Sequence, residues 1–457
     1  MVSVMTLETS SLGDRSYLVS DGSSAAVIDP QRDIDRMLAV AHEQGVTITD
    51  VFETHIHNDY VTGGFELARQ TGARYHVAAD DEVFFERSPL ADGDEVKVGQ
   101  LIVRALHTPG HTPTHLSYLV MEGDREAGVF TGGSLLYGTV GRTDLVSVSM
   151  QETLTRAQYR SAHRLDTELS DGVEIYPTHG FGSFCSSTSP EEGSADADQP
   201  STISDERRVN VALTTADEED FVQSLLAGLG AYPRYYVHMG PRNRIGPAPV
   251  DLSAPIRAEA GEIGERIAAG EWVVDVRDRE AFAQGHVVGT INVELGDSFT
   301  TYLGWLVPWN LPITLVGDDA DAIADAQRQL VRIGIERPTA AAVGGIESYG
   351  EGLHRGSYEV TDFAGLLAAR DDDGDPFVLD VRRDDERREG AVTGSSHVPI
   401  HELERRVDEV PDDRDVWVHC ASGYRASVAA SLLARGGRRP VLINGEYATA
   451  VQLGLTR

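Results

Sequence analysis

Cysteine is nearly absent from this chain. Cys185 and Cys420 are the only two in 457 residues, far apart in sequence and in unlike contexts, so no disulfide framework is expected and each reads as a reactive thiol. Lysine is scarcer still: Lys97 stands alone, and almost all of the 39 basic side chains are arginine. Against them stand 73 acidic ones, for a formal net charge of −34. Such a charge repels phosphate backbones and anionic lipid, which argues against nucleic acid or a membrane surface as partner. No run approaches the roughly 18 apolar residues of a membrane-spanning helix. Met1 to Asp14 lacks the basic start and apolar core of a secretory signal, and a soluble, cytoplasmic chain is expected.

What is present is ordinary globular material, 41% hydrophobic with 46 Gly and 19 Pro, and long enough for about three domains at about 150 residues each. The C-terminal half repeats itself. Trp272-Val273-Val274-Asp275-Val276-Arg277 returns 105 residues later as Phe377-Val378-Leu379-Asp380-Val381-Arg382, and the same offset carries Gly289 onto Gly394. Each copy reads as strand, Asp-x-Arg turn, short charged helix, Gly and second strand, which predicts two α/β domains over 255–355 and 358–457. The N-terminal domain, 1–245, reads differently. Alternating runs at Ala25–Ile28 and Glu95–Ala105 predict hairpins, and helical periodicity appears at Ile34–Gln44, Gly64–Gln70, Glu152–Leu169 and Ala216–Gly228. Residues 186–204 have the composition of a mobile loop, and Gly240–Pro255, with four prolines, reads as a linker.

Histidines recur where strands end. Val51-Phe52-Glu53-Thr54-His55-Ile56-His57-Asn58-Asp59-Tyr60 is a β-run delivering two imidazoles into one loop. Thr108-Pro109-Gly110-His111-Thr112 and Tyr176-Pro177-Thr178-His179-Gly180 follow the same plan. Three such loops in order point to a common metal-ligating edge rather than to isolated polar residues.

At these residues the chain resembles the metallo-β-lactamase superfamily over about residues 1–245, which implies an αββα sandwich with a metal site at its loop edge. His55, His57 and Asp59 match the H-x-H-x-D positions, His111 the next ligand position and His179 the last. Gly141-Arg142-Thr143-Asp144 is similar to the G-R-T-D stretch of the persulfide dioxygenase and glyoxalase II branches, which implies that Arg142 lies near a bound thiol substrate. Two positions depart from the pattern. Tyr60 stands where hydrolases of the family carry His, and Thr131-Gly132-Gly133 lacks the bridging Asp of their T-G-D stretch. A binuclear hydrolase is therefore disfavoured. The resemblance implies one metal ion, iron(II) favoured and zinc the alternative, held by His55, His57 and His111. Asp59, His179, Arg142 and Cys185 stand as further metal or substrate contacts. A first domain without metal, serving only to position the rest, is the other alternative that Gly133 leaves open.

The second thiol has a different setting. Val416-Trp417-Val418-His419-Cys420-Ala421-Ser422-Gly423-Tyr424-Arg425-Ala426 is a buried strand that breaks at Cys420 and resumes as a helix. Loop amides, the helix N-terminus and Arg425 all favour a thiolate or persulfide there, and Gly423 lets the loop curl. This C-x-x-G-x-R-A stretch, with Asp380-Val381-Arg382, resembles the rhodanese sulfurtransferases over 358–457. The loop is one residue shorter than the C-x5-R of related phosphatases, which suits a sulfur-sized guest. In the earlier copy the matching strand runs into Gly317-Asp318-Asp319, with neither Cys nor Arg, and that copy is expected to be a degenerate structural unit.

The whole order is similar to fused persulfide dioxygenase–sulfurtransferases. It implies oxidation of a small persulfide, of glutathione or a similar thiol, by O₂ at the histidine site, with Cys420 and Arg425 catalysing sulfur transfer; the resemblance also admits a homodimer or tetramer. A glyoxalase II-like thioester hydrolase is the rival reading.

Overall fold

The computed structural model describes residues 1–180, 182–187, 201–371 and 375–457. The chain separates into two compact units, Met1–Val250 with Val331–Gly334, and Asp251–Leu330 with Ile335–Arg457.

The first unit is built on two six-stranded sheets. One runs in sequence order through Ser3–Thr9, Asp14–Ser20, Ser24–Ile28, Thr47–Phe52, Arg74–Ala78 and Ser88–Leu90. Its first three strands pair antiparallel and the rest parallel. The other sheet is formed by Glu95–Val98, Leu101–His107, Leu116–Glu122, Arg125–Gly132, Glu174–Pro177 and Ser201–Thr202, again in sequence order. Successive side chains on a strand point to opposite faces, and here both faces are covered. Tyr17, Val19, Ala26, Ile28 and Phe52 meet Val98, Leu101, Val103, Tyr118, Val120 and Phe130 of the facing sheet. Their neighbours Leu18, Val27 and Val51 point the other way, onto Met37, Ala41, Leu67 and Ala68 of helices Asp35–Gln44 and Gly64–Thr71. Leu119, Val129 and Ile175 likewise pack on Ala162, Leu165, Phe221 and Val222 of helices Gln151–Glu168 and Glu218–Gly228. The result is the αββα sandwich that the family resemblance implied.

The second unit holds the repeat. Its four-stranded sheet has the order Ile291–Asn292, Trp272–Asp275, Ile313–Val316, Ala340–Ala342, all parallel. Its five-stranded sheet repeats that order as Ser396–His397, Phe377–Asp380, Asp415–His419, Arg439–Ile443, and adds Glu359–Thr361 at the edge. The Asp-x-Arg echo has a structural cause. Arg277 returns onto Asp275 at 2.8–3.1 Å and donates to the Gly285 carbonyl at 3.0 Å. Arg382 does the same with Asp380 and the Gly390 carbonyl, at 2.8–3.2 Å and 2.7 Å. In both copies the motif closes the strand end.

Two expectations change. The stretch read as a linker from Gly240 begins inside helix Tyr236–Ile245, which carries Pro241 within it. The loop expected over 186–204 falls mainly on 188–200, outside the described residues, and its last residues are ordered: Ser201–Thr202 is a strand, and Thr202 caps helix Ile203–Val209 through a reciprocal bond with Asp205.

Candidate metal centre and thiol loop

The strands Thr47–Phe52, Leu101–His107 and Glu174–Pro177 end at one edge of the sandwich, and the loops that follow bring His55, His57, His111 and His179 together. The four imidazoles are buried, and the ring centroids of His55, His111 and His179 lie 4.7–5.5 Å apart.

Each ring is held by one nitrogen and leaves the other without a protein partner. His111 Nδ1 lies 2.7 Å from the Arg142 carbonyl, which can only accept, so Nδ1 carries the proton and Nε2 the lone pair. His179 Nδ1 donates to Asp14 at 2.9 Å, with Asp59 Oδ2 3.3 Å away. His55 Nδ1 lies 2.9 Å from the Thr54 hydroxyl, whose own proton goes to Asp29 at 2.7 Å, so His55 donates there. His57 turns its Nε2 towards Glu53 at 3.1 Å, Asp29 at 3.2 Å and the Tyr60 hydroxyl at 3.0 Å. What remains unpartnered is Nε2 of His55, His111 and His179, Nδ1 of His57, and both carboxylate oxygens of Asp59. Buried polar atoms are normally satisfied, so this convergent set of lone pairs fits a cation.

Among the described residues the ligand atoms group as His55–His111–His179 and as His57–Asp59–His179, within 4.8 Å in each group. The trio expected from sequence is spread over both groups: His55 and His111 fall in the first, and His57, its ring 4.1 Å from that of His55, falls in the second, with His179 shared between them. A third group, Asp29–Glu53–His57, faces the protonated nitrogen of His57 and serves to orient it.

Electrostatics divide the rings. Burial holds His55 well below the ordinary imidazole value, and it takes His111 down to about 3, with His179 adding repulsion. Burial would lower His57 as well, but the carboxylates of Asp29 and Glu53 outweigh it and raise the ring to about 10. Asp59 and Asp14 likewise outweigh burial at His179 and raise it to about 9. Carboxylates behind an imidazole make it a stronger donor to a metal.

Position 133 is filled in an unexpected way. A Cβ there would lie 2.3 Å from Cδ2 and 2.6 Å from Cγ of His111. A Cβ on Gly141, across the ring, would lie 2.7 Å from its Nδ1. The His111 imidazole therefore occupies the space of the absent side chain, clamped between two bare Cα atoms. His115 supports the floor from below by accepting the Gly133 amide at 3.0 Å.

Of the remaining candidates, Cys185 is fully buried, and burial followed by the nearby Asp59 charge pushes its thiol well up, so it is a neutral thiol beside Asp59. Arg142 is committed elsewhere, to Asp144 at 2.7 and 2.8 Å and to the carbonyls of Gly230 and Phe184, with Tyr232 beneath it. Its backbone carbonyl, rather than its guanidinium, serves the site. Sequence reasoning missed Asp14, Asp29, Glu53 and Thr54. Asp29, at φ 50°, is one of two non-glycine residues among those described with a left-handed backbone, a strain that sequence does not announce.

In the second unit, Cys420 directly follows strand Asp415–His419 and is buried. The Gly423 amide donates to its Sγ at 3.1 Å, and Gly423 is left-handed at φ 92°, as the curled loop requires. Helix Tyr424–Arg435 starts there. Both terminal nitrogens of Arg425 bond Glu386, 39 positions upstream, at 2.5 and 2.6 Å, and its charge also interacts with Cys420.

Comparison with known proteins agrees with this layout. The metallo-beta-lactamase superfamily model matches residues 14–179, and the rhodanese-like domain model matches twice, at 259–351 and 363–449. The chain is 30% identical over 242 residues to a hydroxyacylglutathione hydrolase of Rhodopseudomonas palustris, covering 47% of this chain and 88% of that one. It is 26% identical over 248 residues to the human mitochondrial persulfide dioxygenase, covering 54% and 83%. A crystal structure of a metallo-beta-lactamase from Staphylococcus aureus superposes with a TM-score of 0.66 at 26% identity, covering 75% of this chain and 99% of that one. Described by its two units, the chain belongs to the metallo-beta-lactamase superfamily and carries two rhodanese-like domains after that fold.

Proposed function

We propose that the protein oxidises a small-molecule persulfide at the histidine site and transfers sulfane sulfur at Cys420. The balanced oxidation is RSSH + O₂ + H₂O → RSH + SO₃²⁻ + 2H⁺. The observation that carries the first half is the set of buried imidazoles, each fixed by one nitrogen and open at the other. His55, His111 and His179 would hold the ion, with His57 and Asp59 beside them. A bound iron(II) would supply the one-electron steps that dioxygen needs to react with a closed-shell sulfur anion. The chain's own part is to orient and exclude. Asp14, Thr54, Glu53 and the Arg142 carbonyl aim the rings, and burial keeps bulk water from the reacting sulfur.

Cys420 is the nucleophile of the second half, with the Gly423 amide directed at its sulfur. Two sites on one chain raise the effective concentration of a sulfur species passed between them. Glutathione or a similar thiol is the carrier, as the hydroxyacylglutathione hydrolase relative suggests.

The similarity to hydroxyacylglutathione hydrolase favours a second reading, hydrolysis of a glutathione thioester. Tyr60 and Gly133 weigh against it, since neither offers the second metal a ligand of the hydrolase kind. Metal analysis of protein purified without air separates the readings: one iron per chain supports persulfide oxidation, two zinc ions with thioester cleavage support the hydrolase, and no metal in folded protein refutes both.

A further inference from the structure

The rhodanese-like copy without a cysteine reaches into the thiol loop of the other copy. Helix Arg279–Gln284, opened by Asp278 as its cap, brings Arg279 to that loop. A Cβ at Gly423 would lie 3.2 Å from Arg279 Nη1, and the guanidinium carbon sits 5.2 Å from the Tyr424 ring centroid. The contact is anchored on both sides. Tyr424 donates its hydroxyl proton to the Glu294 carbonyl at 2.7 Å, and Asn444 donates to Glu280 at 2.8 Å. Tyr302, from helix Phe299–Leu306, adds a ring 5.7 Å from Tyr424.

The charges around the loop are unequally committed. Arg425 has both terminal nitrogens on Glu386, and Arg382 is closed onto Asp380 and the Gly390 carbonyl. Arg279 is hydrogen-bonded through Nε alone, to Glu294 at 2.5 Å, and among the described residues its Nη1 and Nη2 have no hydrogen-bond partner. The side chain is 19% exposed. A planar fork with two open donors, held next to the amide that faces a nucleophilic sulfur, matches a small oxyanion.

We propose that Arg279 is a donor-binding residue of the Cys420 site, and that it receives the sulfonate end of thiosulfate or, in the reverse direction, sulfite. In the forward step the Cys420 thiolate attacks the outer sulfur of thiosulfate. A bond forms between Sγ and that sulfur, the sulfur–sulfur bond of thiosulfate breaks, and sulfite leaves with the bonding pair. Net charge is unchanged and no oxidant is needed. Arg279 sits beside Gly423, whose amide bonds Sγ, and there it offers the leaving oxyanion a counter-charge that Arg425, tied to Glu386, does not offer freely. The degenerate copy thereby acquires a chemical role: it supplies the anion-recognising half of a site whose nucleophile lies in its neighbour. This assignment rests on the sulfurtransferase reading of Cys420.

The test compares Arg279→Gln, Arg279→Lys and Glu294→Gln in the full chain, with Cys420→Ser as reference. Thiosulfate:cyanide transferase kinetics are combined with alkylation of Cys420 by anionic iodoacetate and neutral iodoacetamide, followed by mass spectrometry. Arg279→Gln should raise the KM for thiosulfate about tenfold with kcat within about twofold, and lower the iodoacetate-to-iodoacetamide rate ratio by a similar factor. Arg279→Lys should keep most of both. Glu294→Gln, which releases the guanidinium from its only carboxylate, should lower KM and raise the ratio. An unchanged KM and ratio in folded Arg279→Gln would overturn the assignment, as would equal losses in the Lys and Gln variants. If Cys420→Ser retains transferase activity, it is the parent reading that fails.

Discussion

The space beside His111 yields a prediction opposite to what the sequence pattern suggests. On the pattern alone, Gly133→Asp returns a missing carboxylate and should improve metal binding. In the structure even the Cβ of alanine would stand 2.3 Å from His111 Cδ2, so the ring has to retreat by about 1 Å to reach ordinary contact. It has nowhere to go, because Gly141 closes the other side and the Nδ1 bond to the Arg142 carbonyl, at 2.7 Å, holds it in plane. Backbone strain is not the cause: it is Gly132, not Gly133, that has a positive φ, 53°. Overpacking costs about 1–3 kcal/mol and loss of the carbonyl's partner about 1–3 kcal/mol more. Together these come to about 2–6 kcal/mol, and at about 2–4 °C per kcal/mol Gly133→Ala should lower the Tm of the metal-free first unit by about 4–24 °C. Displacement of a ligand ring should also weaken metal binding by about 10–100-fold. Differential scanning calorimetry and equilibrium dialysis against zinc read the two quantities separately. Wild-type Tm and affinity in Gly133→Ala, or tighter binding in Gly133→Asp, would refute the argument that the imidazole fills this space.

Other consequences are simpler to state. Cys420→Ser should abolish sulfur transfer from thiosulfate while leaving the far-ultraviolet circular dichroism and Tm of the second unit unchanged, because it replaces a polarisable nucleophile by a poor one of similar size. Asp14→Asn removes the carboxylate behind His179 and should cost about 10–100-fold in metal affinity, measured by competition with a chromophoric chelator. Glu386→Gln strands a buried guanidinium and should destabilise the second unit by about 3 kcal/mol in urea unfolding at neutral pH. Burial opposes ionisation of Glu386, yet Arg425 prevails and holds it below the ordinary value of 4.5. Its stabilising contribution is therefore complete above pH 4.5 and lost as pH falls through the lower folded value, so the wild type and Glu386→Gln should converge in stability under acid.

Much of this was legible because the relevant signals are local. His55, His57, His111 and His179 each stand in a loop that follows a strand, and the run Ala25–Ile28 read as part of a hairpin lies in strand Ser24–Ile28. The Asp-x-Arg echo is legible for the same reason, since its hydrogen bonds span two to eight residues. What sequence could not show are partnerships made across the fold. Asp14 reaches His179 over 165 residues, Glu386 reaches Arg425 over 39, and the Gly133 gap is meaningful only once the His111 ring is seen inside it. Pairing His57 with His55 follows from adjacency in the chain, but the carboxylates behind a ring decide where it faces. Pro241 misleads for a related reason, since a proline-rich composition suggests a linker although helix Tyr236–Ile245 continues through it.

The central claim is that the histidine site couples a persulfide to dioxygen. Oxygen consumption by the anaerobically purified, iron-containing chain, measured with glutathione persulfide as the only added substrate, tests it most directly. One O₂ should be consumed per sulfite formed, with uptake abolished in His111→Ala and retained in Cys420→Ser. Absence of uptake in iron-loaded wild type, or uptake indifferent to His111→Ala, would contradict it.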